Sequence, residues 1–266
     1  MGNVLAVFAF EWKRSLTVPR MAWWLLLAAF PVFIVGMIRF IAPKDLYEGP
    51  QHREFRLMLI LVQFALVPML VTMLGTLLWA TPVISAEIER RSWVFLTIRP
   101  NGSTAVLLGK YLAAVTWVIP PVLVGLSIAV PLSGVEDAWL VWWTLGRLVC
   151  LSCPAYGAVY LLLGTILPRR AMVLAVGYTL IFELVISFVP AVINKVTVQY
   201  RLRALLFDWC QLFGEGTRPS GAMALVGDSP AWEHVVVLLL IPPALLALSV
   251  FILRQSEFST SAESDV

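Results

Sequence analysis

At 266 residues, 60% hydrophobic and only 13% charged, with a mean hydropathy of +0.89, the chain is far outside the composition of a soluble domain. A net charge of +3 does not mark a nucleic-acid binder. The three cysteines, Cys150, Cys153 and Cys210, cannot build a disulfide framework.

Six apolar runs, near 22–42, 57–84, 111–133, 139–167, 171–193 and 233–253, each reach the roughly 20 residues that carry a helix across about 30 Å of hydrocarbon. A closed barrel would show alternating segments of about ten residues, and none is present. The predicted fold is therefore an all-α integral membrane protein with six transmembrane helices in one domain, 1–266. The first run follows Arg20 and lacks a small-residue cleavage site, so it reads as a retained span rather than a signal peptide.

Ahead of it, Val4, Leu5, Phe8, Trp12 and Leu16 recur at helical spacing, with Glu11, Lys13 and Arg14 expected on the other side. This predicts an N-terminal interfacial amphipathic helix over 3–19, ended by Pro19. A disordered basic terminus is the alternative. The charges Lys13, Arg14 and Arg20 and the tight Arg169–Arg170 turn favour the N-terminus inside. Six spans then return the 254–266 tail to the cytoplasm, as expected for a multi-pass protein of the inner membrane.

Between the second and third runs lies the one sizeable inner connection, 85–110. Ile84, Ile88, Phe95 and Ile98 approximate one helical stripe beside the charged turn Glu87, Glu89, Arg90 and Arg91, and Pro100-Asn101-Gly102 breaks the chain before Gly109 and Lys110. A short surface helix results, suited to docking a soluble partner or to a structural surface role. Further along, Trp139, Trp142 and Trp143 open the fourth run and Trp232 precedes the sixth, as an aromatic belt does. Cys150 and Cys153 share a face at i, i+3, but His52 and His234 fall outside the span interiors, so a metal site is not expected. The segment 194–231 carries Val198, Leu202, Leu205, Leu206, Trp209 and Leu212 on one stripe, which predicts an outer amphipathic helix on or in the membrane surface.

Only two charges fall well inside the runs. Arg147 is eight residues from the outer end of the fourth and Glu183 twelve from the inner end of the fifth. At 1.5 Å per residue these depths are about 12 Å and about 18 Å from opposite faces, which coincide in a core of about 30 Å. An intramembrane ion pair between Arg147 and Glu183 is predicted, as a structural tie or as part of a path.

The amphipathic N-terminus, the six runs and the connection carrying Glu87, Glu89, Leu96, Pro100, Leu107, Leu108, Gly109 and Lys110 together resemble the permease subunit of ABC exporters of the second type. Arg91-Ser92 and Asn101-Gly102-Ser103 depart from that pattern. The resemblance implies a dimer with a second copy or homologous permease. It implies docking through Glu87, Glu89, Arg90, Arg91, Trp93, Phe95 and Pro100 to a separate cytoplasmic ATPase subunit that holds ATP and magnesium, with no cofactor or catalytic residue on this chain. No phosphate loop contradicts this: Gly102 and Gly109 are seven apart where five is required, and Tyr111 stands where a magnesium-binding hydroxyl belongs. The alternatives are a membrane-embedded enzyme or an ion-coupled secondary carrier. The former lacks an H-E-x-x-H or G-x-S-x-G motif, and the latter has one intramembrane carboxylate to work with.

Overall fold

The computed structural model describes residues 2–43, 52–89, 102–135, 137–186, 195, 197–210 and 229–255. Among them every regular element is helical. We label them α1 (Gly2–Ser15), α2 (Val18–Ile41), α3 (Arg53–Glu89), α4 (Gly102–Leu132), α5 (Ala138–Ile166), α6 (Ala171–Tyr178), α7 (Val198–Trp209) and α8 (Ala231–Gln255). Five of these, α2, α3, α4, α5 and α8, are long and apolar enough to cross a membrane. The expected fifth run begins as α6, widens into a π-helical segment at Thr179–Val185, and passes beyond the described residues after residue 186.

α5 is the hub. It packs against α3, α4, α6, α7 and α8, and its face of Leu145, Leu148, Cys153, Tyr156 and Tyr160 is fully buried. Gly164 lets α3 approach: a Cβ there would lie 2.4 Å from the carbonyl oxygen of Thr81, so only hydrogen fits. Tyr111 of α4 donates to the Pro154 carbonyl of α5 at 3.0 Å. α2 and α8 lie at the margin, exposing Leu25, Leu26, Phe33 and Phe40, and Leu239, Leu240 and Phe251. Apolar surface on that scale belongs against lipid rather than water.

α3 contains its own π-helical segment, Ala65–Val71, around Pro68. Proline has no N–H and its ring clashes with the carbonyl four residues back, and a wider turn relieves both. Thr72 then donates its hydroxyl to the Pro68 carbonyl.

Two local expectations change. α1 stops at Ser15, and Pro19 lies in the first turn of α2, where its fixed φ and missing N–H suit a helix start, rather than closing the first helix. The inward face of α1 is Val4, Val7, Phe8, Glu11 and Trp12, while Leu5 and Leu16 are exposed. Glu11 therefore sits on the packed side and not on the polar one.

Candidate functional site

A buried polar cluster lies where α5, α6 and α7 meet. Glu183, within the π-helical segment, is fully buried. Its carboxylate accepts the hydroxyls of Tyr178 at 2.9 Å and Tyr156 at 3.3 Å, and the backbone N–H groups of Gln199 at 3.2 Å and Val198 at 3.4 Å. The last two are the leading donors of α7, groups that a helix leaves unbonded at its N-terminus, and the positive end of the helix dipole adds to their effect. Thr197 fixes that end by accepting the N–H of Tyr200 at 3.3 Å. Beside it, Tyr160 and Thr179 share a 2.7 Å hydroxyl contact, and Thr179 donates to the Ala175 carbonyl at 2.9 Å.

The cation whose field reaches Glu183 is Arg203 of α7. Burial lowers the pKa of its guanidinium from the ordinary value, and Tyr156 and Glu183 oppose that shift. The sequence-based pairing of Glu183 with Arg147 is thus corrected. Arg147 is exposed, with its guanidinium 4.9 Å from the Trp143 ring and 5.5 Å from that of Trp209. The physical reason is helix length. α5 has 29 residues, about 43 Å at 1.5 Å each, so it overshoots a core of about 30 Å. Arg147 lies nine residues before Tyr156, about 13 Å along the axis from the level of Glu183. A cation at that height stacks on interfacial indoles and needs no carboxylate.

What α7 contributes was hidden in the sequence. Gln199 and Arg203 are buried with Leu202, Leu205 and Leu206, so nearly the whole circumference of the helix is covered. Next to α7, His234 of α8 is also buried, packed edge-on to Tyr200 at 5.8 Å and 3.4 Å from Arg201.

A second cluster ties α1, α3 and α4 together. Lys110, at the start of α4, bonds the carboxylate of Glu87 at the end of α3 and lies 3.8 Å from Glu11 of α1. α1 is seated on α4 by Trp12, whose indole N–H donates to Thr116 at 3.0 Å and whose ring meets Trp117 edge-on at 5.2 Å. Gly109 makes room for it: a Cβ there would be 2.8 Å from Val7.

Of the expected docking residues, Glu87 is buried and turned toward Lys110, and Glu89 is exposed. Arg90, Arg91, Trp93, Phe95 and Pro100 lie outside the described residues. Glu87 therefore serves the inside of the protein, whereas Glu89 faces outward at the exit of α3. Cys150 is exposed and Cys153 buried on α5. No protein-family model matches the chain, and no curated protein matches it.

Proposed function

We propose that this chain is the membrane-spanning permease of an ABC exporter, working with a separate cytoplasmic ATPase subunit and a second permease copy in the inner membrane. The observation that carries this reading is the Glu11–Lys110–Glu87 cluster. It binds three elements, α1, the last turn of α3 and the third turn of α4, two residues before the described part of α3 ends at Glu89. A push on that connection is then delivered to α4 and α1 together rather than absorbed by a loose loop. Glu89, exposed beside it, is the described residue that a docked partner would meet first.

The ion-coupled carrier is the second reading, favoured by one observation: Glu183 is a fully buried carboxylate in a segment with no other charged residue. Purification from native membranes separates the two. A stoichiometric ATPase that dissociates in Glu89→Lys supports the permease. Uptake driven by an ion gradient, without an ATPase and abolished in Glu183→Gln, supports the carrier and overturns our reading.

A further inference from the structure

Between α1, the end of α3 and the start of α4 lies a cavity of about 150 Å³, walled by Glu11, Ser15, Arg20, Trp79, Lys110 and Trp117. That is several times the space one water occupies. Two of its charged side chains, Glu11 and Arg20, are incompletely satisfied from within the protein. On one side, the Glu11 side chain is only 14% exposed, and Arg14 and Lys110 both stand 3.8 Å away, beyond hydrogen-bond distance. Lys110 gives its close contact to Glu87 instead. On the other side, Arg20 spends one N–H on Ser15 at 2.8 Å and lays its guanidinium over the Trp79 ring at 5.6 Å. Among the described residues it meets no carboxylate, although a guanidinium has five N–H donors. One lining therefore offers both a cation rich in donors and a carboxylate short of them, among indole and aliphatic side chains.

We propose that this cavity holds the phosphoethanolamine headgroup of one phospholipid from the leaflet at the α1 end. The guanidinium of Arg20 matches the phosphate, which it meets with paired N–H donors. The primary ammonium supplies Glu11 with the hydrogen bonds that Arg14 and Lys110 do not reach. A glycerol headgroup brings only neutral hydroxyl donors, weaker toward a carboxylate than an ammonium, and a choline headgroup brings a cation with no N–H to give. The setting agrees, because Trp12, Trp79 and Trp117 cluster here beside the exposed Lys13 and Arg14, as side chains do at headgroup depth. The proposal requires only that the α1 end lie at a membrane surface, so it survives or fails independently of the ATP-driven reading.

Native mass spectrometry of the detergent-solubilised full chain tests it. Phosphatidylethanolamine, phosphatidylcholine and phosphatidylglycerol of identical acyl chains are titrated separately, with soluble phosphoethanolamine as a competitor. One phosphatidylethanolamine is expected to be retained about tenfold more tightly than the other two, the range of a charge-assisted hydrogen bond. Glu11→Gln should erase that preference, and Arg20→Gln should weaken retention of all three lipids. Equal retention of the three, or an unchanged preference in Glu11→Gln, overturns the proposal. Displacement by equimolar soluble phosphoethanolamine overturns the lipid source. Arg20→Gln leaves the Glu11–Lys110–Glu87 contacts in place, so it decides the matter even where Glu11→Gln fails to fold: undiminished phospholipid retention in that variant also refutes the site.

Discussion

The backbone N–H of Gln199 donates to the carboxylate of Glu183 at 3.2 Å. This contact sets the first turn of α7 at the depth of a buried π-helical segment, although α7 belongs to the stretch that connects α6 to α8. The acid is thus held chiefly by a helix end and by tyrosine hydroxyls. Each of these donors would itself be stranded in an apolar interior if the acid were removed.

Glu183→Leu should therefore be costly. It strands two hydroxyls and two backbone N–H groups, each worth about 1–3 kcal/mol of desolvation when unpaired, so a loss of at least about 4 kcal/mol in denaturant titrations is expected. Arg147→Leu should cost less than about 1 kcal/mol, the scale of an exposed cation–π contact. The double variant should be additive within about 0.5 kcal/mol, as for residues that do not touch. Recovery of stability in the double variant would restore the direct ion pair.

Lys110→Met should lower the melting temperature more than Glu87→Gln does. It leaves the buried Glu87 and the part-buried Glu11 without their shared cation, a change that costs about 3–5 kcal/mol when a buried partner is lost. Lys110→Met combined with Glu87→Leu should regain much of that loss. If the single lysine variant melts like the parent, the cluster does not bind the three elements.

Gly109→Leu should loosen α1 while leaving the bundle in place, since its Cβ would fall 2.8 Å from Val7 and 3.0 Å from the backbone oxygen of Val4. Limited trypsin digestion reads this directly. Cleavage after Lys13 and Arg14 should accelerate severalfold relative to cleavage elsewhere, and equal rates would refute the close seat of α1.

Thiol labelling should separate the three cysteines. Cys153 is fully buried and should stay unmodified until the protein unfolds. At Cys210, burial raises the thiol pKa, partly offset by Thr144 and Arg56. Because the pKa is raised, the reactive thiolate is scarcer near neutrality than in a free thiol. Its maleimide rate should keep climbing above the pH at which a free cysteine, titrating near 8.5, has levelled off. A rate that levels off with the free thiol would contradict the burial.

Much of the bundle was legible because span length and apolarity are local properties. The runs predicted at 22–42, 139–167 and 233–253 match α2, α5 and α8 to within a few residues. The run at 57–84 falls inside a longer helix, because α3 continues to Glu89, and the run at 111–133 ends within one residue of α4, which begins nine residues earlier than the run, at Gly102. Those extensions are polar enough to escape a hydrophobicity window, yet they carry Glu87 and Lys110, which close on each other. The Arg147 assignment failed for a related reason: depth was counted from the edges of an apolar run, and α5 is longer than the core is thick. The partners of Glu183 were beyond the reach of any pattern. They are backbone donors, present at every residue, and only the tertiary placement of α7 singles out those of Val198 and Gln199.

α7 also bears on how the molecule is made. With 12 residues it is about 18 Å long, too short to be threaded across a bilayer as a span of its own. It must enter from one side after its neighbours have been inserted, and its surroundings include α8, which is synthesised later. Until α7 is in place, the Glu183 carboxylate lacks the helix end that caps it. Docking of α7, rather than insertion of the long helices, is then the step that completes the surroundings of the buried acid.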